Sequence, residues 1–385
     1  MEIRYYFRHF DYALLLGVLG LIIYGCLIIY SATHADPDLP SPFYYVKTQI
    51  IAAVLGAAIL AAAALIDYRG LRNYRIHMYA VVMVLILLVS ILGSEAKGGQ
   101  RWLSLGFFNL QPSELAKVGM ILVLSALLSE RTREPESHTT LKSLAYAAVP
   151  VFFVFLQPDI GTALVFAAVT MAILFIYGTR LLHFAVIGAT LAAGLVIVLK
   201  ILPMAGLRLL KAYQLDRLLV FMQPDTDPGG AGYHLLQSKI AIGSGMMTGK
   251  GLYQGTQTQL NFLPEHHTDF IFSVLGEELG FIGIAVLLSL YMLVIWRSLR
   301  ICILSDNLFG SLVAGGVLSM LLFQVFVNIG MTIGIMPVTG IPLPFFSYGG
   351  SAMVANLLAV GLLESIHIRS KLISDRRYRR AQITG

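Results

Sequence analysis

The sequence carries one carboxylate at the junction between a polar loop and a long apolar run. Asp269 follows the string QTQLNFLPEHHT and stands directly before Phe270, where the apolar run begins. Partial removal from water makes a carboxylate more basic, so Asp269 is a candidate general base that takes a proton from a hydroxyl group. An aspartate at the start of a helix also serves as an N-cap. These residues alone leave both interpretations open.

A second set of candidates follows the apolar run that ends near residue 93. Arg101 and Trp102 lie in a glycine-rich polar stretch, and Glu114 and Lys117 follow shortly after it, three residues apart. That spacing puts Glu114 and Lys117 on one face of a helix, where they either form a structural salt bridge or line a polar cavity. Trp102 is typical of the interface between membrane and water. The face of a tryptophan ring also stacks well on a sugar.

Two further charged residues lie beside or between apolar runs. Asp159 precedes Ile160 at the mouth of one run, and we interpret it as a helix N-cap rather than a catalytic residue. Lys239 lies on the amphipathic stretch 233–243, which we expect to lie along a membrane surface. Lys239 is therefore placed to meet an anionic group at that surface.

The elements that must position these side chains are helices that span a membrane. The chain has 385 residues, of which 57% are hydrophobic and 12% charged, and its mean hydropathy of +0.78 excludes a soluble domain. A span needs roughly 20 apolar residues. Candidate spans lie near residues 11–31, 47–66, 76–93, 113–129, 143–157, 160–178, 182–200, 270–296, 308–334 and 345–366. We predict an all-α polytopic membrane protein with about ten transmembrane helices, formed as a single domain over residues 1–385.

Basic residues set the predicted orientation of these helices. Most of the 27 lysines and arginines fall at the N-terminus, in every second connection and in the C-terminal tail, whereas the short loops on the other side hold few. By the positive-inside rule, both termini are then cytoplasmic. One long loop, about residues 200–268 between the seventh and eighth helices, is extracytoplasmic. The net charge of +6 needs no nucleic-acid partner, because topology accounts for most of the basic residues.

Proline and glycine break the chain between the last two apolar runs, in NIGMTIGIMPVTGIPLPFFSYGGSA at 328–352. Pro337, Pro342 and Pro344 cannot all lie inside one continuous helix. An unpaired backbone amide costs several kcal/mol in hydrocarbon, so broken backbone at this depth indicates either surrounding protein or a wet cavity. Ser347 is a polar side chain of this segment and a candidate for contact with a ligand.

Two strings in the sequence resemble the signatures of a known family. The order and spacing of Asn328, Gly334, Pro337, Gly340 and the run SYGGSA at 347–352 resemble a signature of the SEDS family (RodA, FtsW and SpoVE), the membrane glycosyltransferases of bacterial cell-wall synthesis. The string LNFLPEHHTDFIFSVLGEELGFIG at 260–283 resembles its second signature. The invariant aspartate of that signature is taken as catalytic and falls on Asp269. The form TQTQLNFLPEHHTDF is most similar to RodA, which implies a role in cell elongation.

The resemblance implies that the chain polymerises lipid II into glycan strands at the outer face of the bacterial cytoplasmic (inner) membrane. Asp269 would act as general base on the 4-hydroxyl of the acceptor, and undecaprenyl diphosphate would leave. Arg101, Lys117, Lys239 or a divalent cation (Mg²⁺ or Mn²⁺) would stabilise the diphosphate. We expect no organic cofactor. The predicted substrate-binding residues are Arg101, Trp102, Glu114, Lys117, Lys239 and Ser347.

Two other classes of function remain open from the sequence. A lipid II flippase would also need about ten spans, buried charges and broken helices. A scaffold that activates a partner is the other alternative. The resemblance implies a complex with a class B penicillin-binding protein, the transpeptidase that crosslinks the strands, and with MreC- and MreD-type elongation proteins. We favour the enzyme because the polar motifs cluster toward one face of the predicted bundle.

Overall fold

The structure is a computed structural model that describes residues 8–34, 40–96, 99–104, 109–130, 136–157, 159–204, 230–260, 262–263 and 265–384. Its first half contains α1 (Tyr12–Thr33), α2 (Tyr44–Leu65), α3 (Tyr68–Leu71), α4 (Arg75–Leu92), β1 (Ser94–Ala96), β2 (Gly99–Ser104), β3 (Asn109–Leu110), α5 (Pro112–Glu130), α6 (Glu136–Leu156) and α7 (Ile160–Tyr177). Its second half contains α8 (Leu181–Val196), α9 (Leu202–Met204), α10 (Ala231–Ser244), α11 (Thr256–Gln259), α12 (Ile271–Ile303), α13 (Leu308–Ile333) and α14 (Gly350–Thr384). A π-helical turn over Ile197–Ile201 joins α8 to α9.

The prediction of a polytopic helical membrane protein is confirmed. Within the described ranges, nine helical segments are long and apolar enough to cross a membrane. The seventh predicted span, 182–200, corresponds to α8, whose 16 α-helical residues run on through the π-helical turn into α9. The last predicted span, 345–366, is displaced because α14 begins only at Gly350, after the broken segment. Of the predicted long loop 200–268, residues 205–229, with 261 and 264, lie outside the described residues.

The connection between α4 and α5 departs from the all-α prediction. It forms a small antiparallel sheet in the order β1-β2-β3, in which Ser94 pairs with Trp102 and Leu103 pairs with Leu110. Strand β2 carries Arg101 and Trp102. Such short strands have too few residues for their alternation of apolar and polar side chains to stand out in the sequence.

Residues 341–347 of the broken segment 334–349 are packed inside the helix bundle, as the cost of exposed amides in hydrocarbon requires. Phe346 is fully buried. Side chains of the neighbouring helices donate hydrogen bonds to carbonyl groups of this segment. Asn328 Nδ2 donates to the Ile341 carbonyl over 2.8 Å, and the Tyr291 hydroxyl donates to the Pro344 carbonyl over 2.6 Å. Gly25 of α1 allows close approach, since a Cβ there would lie 2.5 Å from the Phe346 carbonyl oxygen.

A kink in α12 anchors the turn that follows α10. The helix is interrupted at Gly280, where φ is 59°. Two amides that the kink releases donate instead to this turn, Phe281 N to the Met246 carbonyl over 2.9 Å and Ile282 N to the Met247 carbonyl over 3.1 Å. The turn is thereby fixed to α12 about three turns beyond Asp269.

Candidate active site

Asp269 lies in a turn that directly precedes α12. Its amide donates to the Glu265 carbonyl over 3.2 Å, and its own carbonyl accepts a hydrogen bond from Asn328 Nδ2 over 3.0 Å. The N-cap of α12 is Phe270, and that helix start has no side-chain cap. The helix therefore begins one residue later than the N-cap interpretation of Asp269 predicts. The carboxylate instead faces a cavity, close to the broken segment: a Cβ added to Gly340 would lie 3.2 Å from Asp269 Oδ2.

Glu265 shapes the turn that presents Asp269. Its φ of 52° lies in the left-handed region, which is uncommon for a residue other than glycine. In that conformation its carbonyl accepts hydrogen bonds from the amides of Thr268, Asp269 and Phe270, over 3.1, 3.2 and 3.4 Å. Strained backbone of this kind concentrates at functional sites. The sequence showed only a glutamate four residues before Asp269, with no sign of this geometry.

A cavity of about 510 Å³ brings most of the predicted residues together. It is lined by side chains from β2, the first turns of α5 and α7, the turn at 265–269 and the segment 339–352. Five of the seven predicted site residues line it, namely Arg101, Trp102, Glu114, Lys117 and Asp269. Residues more than 150 positions apart in the chain therefore face one space, as a site for a polar ligand requires.

The Glu114 and Lys117 side chains form a salt bridge and also line the cavity, so both interpretations of their spacing apply. Lys117 Nζ lies 2.8 Å from Glu114 Oε1, and the two residues are only 3% and 2% exposed. Both also line the cavity. Glu114 Oε2 has no hydrogen-bond partner among the described residues. A buried polar atom without a partner costs free energy, so this oxygen is a ready acceptor for a group that enters the cavity.

Asp159 is the N-cap of α7, as the sequence predicted. Its carboxylate accepts hydrogen bonds from the Thr162 amide over 3.1 Å and from the Thr162 hydroxyl over 2.8 Å. Gln111 Nε2 donates to the same carboxylate over 3.2 Å. Nearby, Arg101 Nε donates to the Gln157 carbonyl over 3.1 Å, which fixes β2 against the end of α6. The cap and the anchored strand form one wall of the cavity.

Two predicted substrate-binding residues do not line the cavity. The Ser347 hydroxyl accepts a hydrogen bond from the Leu343 amide over 2.8 Å, and the Ser347 carbonyl accepts one from Gln49 Nε2 over 3.0 Å. Ser347 thus holds the turn behind the cavity wall. Lys239 lies exposed on α10 and extends across Gly334, where an added Cβ would lie 2.5 Å from its Nζ. A substrate contact by Lys239 or Ser347 stays a prediction.

The cavity lining carries more negative than positive side chains. Its carboxylates are Glu114, Asp159, Glu265 and Asp269, and its cationic side chains are Arg101 and Lys117. Across the described ranges, no three His, Cys, Asp or Glu side chains lie close enough to hold a metal ion. One or two carboxylates, completed by the phosphates of a substrate, are nevertheless the protein ligands that Mg²⁺ commonly uses. A divalent cation at this lining stays a prediction.

Comparison with known proteins defines the class of this membrane protein. The family model for FtsW, RodA and SpoVE, described as cell cycle protein, matches residues 12–372. The chain belongs to this family, and the resemblance inferred from its two signature strings is confirmed. It is 40% identical over 366 residues to peptidoglycan glycosyltransferase MrdB of Escherichia coli (strain K12), with 95% of each chain covered.

Solved structures share the fold. A chain in a structure that describes how a peptidoglycan synthase complex coordinates polymerization and crosslinking superposes with a TM-score of 0.79, at 30% identity and over 94% of this chain and 98% of that chain. The crystal structure of the Rod shape determining protein RodA of Thermus thermophilus superposes with a TM-score of 0.65, at 29% identity and over 93% and 96% of the two chains.

Proposed function

We propose that this chain is a peptidoglycan glycosyltransferase that polymerises lipid II, with Asp269 as the general base. The names of its relatives support the activity. The observation that supports the site is geometric: Asp269 lies one residue before the N-cap of α12 and lines a cavity that it shares with Trp102, Arg101 and the Glu114–Lys117 pair.

The reaction that fits this cavity is a single displacement at an anomeric carbon. The Asp269 carboxylate takes the proton from the 4-hydroxyl of the acceptor GlcNAc, and the oxygen attacks C1 of the terminal MurNAc of the growing strand. The bond from C1 to the diphosphate oxygen breaks, and its electron pair leaves with undecaprenyl diphosphate. Inversion converts the α-linked diphosphate into a β-linkage, so one base suffices and no second carboxylate has to act as a nucleophile.

The leaving diphosphate needs positive charge. Arg101 and Lys117 line the cavity and are the residues placed to supply it. Glu114 holds Lys117 in position through their 2.8 Å contact. A Mg²⁺ or Mn²⁺ ion would add charge neutralisation at the diphosphate, and Glu114, whose Oε2 has no hydrogen-bond partner among the described residues, is the lining carboxylate suited to hold it.

The setting of the reaction is the bacterial cytoplasmic membrane. We place both termini on the cytoplasmic side and the cavity on the outer side, following the distribution of basic residues. A class B penicillin-binding protein is the proposed partner that crosslinks the strands, and a peptidoglycan synthase complex among the similar structures supports it. MreC- and MreD-type proteins are further proposed partners in elongation.

The deciding experiment uses the chain reconstituted with its cognate transpeptidase and purified lipid II. The Asp269→Asn variant should make glycan strands about 10² to 10⁴ times more slowly than the unmodified protein, the usual contribution of a general base. The Asp159→Asn variant is the matched control, because Asp159 lines the same cavity but acts as a helix cap. Its rate should stay within about twofold of that of the unmodified protein, because asparagine caps a helix about as well as aspartate.

Two results would count against the proposal. Full polymerisation by Asp269→Asn would exclude Asp269 as the general base. Absence of polymer from the unmodified protein, together with movement of labelled lipid II across the bilayer, would establish the flippase instead. Equal folding of all variants is checked by thermal unfolding before rates are compared.

A further inference from the structure

Aromatic rings form a continuous wall beside the cavity. Tyr45 lies at the start of α2 and stacks on His267, with ring centroids 4.3 Å apart and an angle of 28° between the rings. Tyr348 meets Tyr45 edge to face at 4.7 Å, and Tyr44 meets Tyr45 edge to face at 5.4 Å. We call Tyr44, Tyr45, His267 and Tyr348 the aromatic platform. Tyr348 also lines the cavity, so the platform begins where the cavity ends.

Hydrogen bonds hold the platform in place. Gln49, one turn along α2 from Tyr45, is buried, donates to the Ser347 carbonyl over 3.0 Å and accepts from the Gly349 amide over 3.1 Å. The turn that carries Tyr348 is thus fixed to α2 on both sides. The Tyr348 amide in addition donates to the His267 carbonyl over 3.0 Å. Three separate segments of the chain therefore present their rings in one fixed arrangement.

The polar ends of the rings suit hydroxyl-rich ligands. Tyr44, Tyr45 and Tyr348 each carry a hydroxyl at the end of the ring, and a tyrosine hydroxyl can both donate and accept a hydrogen bond. An aromatic face bordered by hydroxyl groups matches a pyranose ring, which has an apolar C–H face and a polar rim.

The cavity is too small to hold both sugar chains of the proposed reaction. At about 510 Å³ it has the volume of a pocket for one ligand of drug-like size. A glycosyltransferase that joins two lipid-linked saccharides must hold two sugar chains at once. One of them has to extend beyond the cavity, and the aromatic platform lies at that edge.

We propose that the aromatic platform is a carbohydrate-binding subsite that holds an N-acetylhexosamine ring of the glycan strand next to Asp269. The inference rests on the proposed function and adds a second sugar contact outside the cavity. A membrane-interface belt is a poor description of these rings. Tyr44, at 46% exposed, fits a belt, but Tyr45, His267 and Tyr348 are half-buried against one another.

Phe43 supplies a matched control. It is an exposed aromatic residue immediately before Tyr44, and its ring stacks on Tyr30, with centroids 4.8 Å apart, outside the platform. The Tyr45→Leu variant should raise the KM for lipid II about three- to tenfold, the effect of removing one aromatic stacking partner, with kcat changed less than about twofold. The Tyr45→Phe variant, which keeps the ring, and Phe43→Leu should stay within about twofold of the unmodified protein.

A binding measurement separates this proposal from the proposed function. The Asp269→Asn protein is titrated with a soluble tetrasaccharide of alternating GlcNAc and MurNAc, with and without Tyr45→Leu. The Tyr45→Leu substitution should weaken binding about three- to tenfold. This result would support the subsite even if the unmodified protein made no polymer.

Equal tetrasaccharide affinity with and without Tyr45→Leu would overturn the proposal. So would a fall in kcat at unchanged KM, which would indicate a structural role for the ring. If Tyr45→Leu does not fold, His267→Leu removes the stacked partner ring and takes its place in both measurements, with the same expected and contrary results.

Discussion

The two ends of the helix bundle use buried charges in different ways. Near Asp269, charged side chains from four segments line a cavity, and Glu114 Oε2 has no partner among the described residues. At the opposite ends of the helices, Asp11 accepts hydrogen bonds from Arg297 Nε at 2.9 Å and Nη2 at 2.5 Å, and its amide donates to Glu364 at 2.9 Å. We call Asp11, Arg297 and Glu364 the inner network. Burial of a charge therefore does not identify a site; a charge that faces an enclosed space does.

The largest expected effect on stability comes from the inner network. The Arg297→Ala variant leaves Asp11, only 3% exposed, without its counter-charge, which should destabilise the fold by about 3–5 kcal/mol. The double variant Asp11→Asn with Arg297→Met should recover most of that loss, because no buried charge stays unpaired. Thermal unfolding in detergent measures both. Unchanged stability in Arg297→Ala would show that the pair contributes little.

The Glu114–Lys117 pair should respond differently to the same design. The single variant Lys117→Met should lower the rate of glycan synthesis by about 10² to 10³, the effect of removing one group that stabilises developing charge. The double variant Glu114→Gln with Lys117→Met should recover stability but not activity, since the cavity still lacks the charge of Lys117. Recovery of both properties would make this pair structural, like the inner network.

Two glycines with left-handed backbone allow the effect of backbone strain to be distinguished from the effect of contact with Asp269. Gly340 has a φ of 71° and lies beside Asp269, whereas Gly178 has a φ of 95° and has no atom within 4 Å of an added Cβ. Each glycine-to-alanine variant should lose about 1–2 kcal/mol through backbone strain. Gly340→Ala alone should also lower the turnover rate, by about tenfold, because its Cβ displaces the carboxylate. Similar rates for Gly340→Ala and Gly178→Ala would contradict the assigned position of Asp269.

The smallest expected effect is the pH dependence of the connection between α12 and α13. Burial by itself raises the pKa of Asp306, but the charge of Arg69 and hydrogen bonds from Asn307, Arg69 and Tyr68 outweigh it, so the pKa lies below the ordinary value of 3.8. A carboxyl group with a lowered pKa contributes stability above its unfolded pKa and loses it as the pH falls through the folded pKa. The unfolding temperature should therefore drop below about pH 4, and Asp306→Asn should remove part of that drop. An identical pH profile in the variant would exclude this contribution.

Much of the site was predictable because short local patterns in the sequence mark its residues as unusual. A carboxylate at the border of an apolar run, as at Asp269, and an acidic and a basic residue three positions apart, as at Glu114 and Lys117, are unusual in a membrane protein. The cap at Asp159 was likewise predictable, because capping depends on only the next few residues. Lys239 and Ser347 were harder, since their distance from the cavity depends on how distant segments pack.

The sequence by itself determined the class of protein, the approximate positions of the spans, the break at 334–349 and the family, since these follow from local hydropathy, proline and glycine content, and ordered motifs. Only the tertiary structure decided which side of each helix faces the cavity and that Glu265 adopts a positive φ. It also decided that the aromatic rings of α2, the turn at 265–270 and the segment around Tyr348 pack against one another. The reason is physical. Local patterns fix helices, whereas convergence of residues some 300 positions apart, such as Tyr45 and Tyr348, depends on packing among all the helices at once.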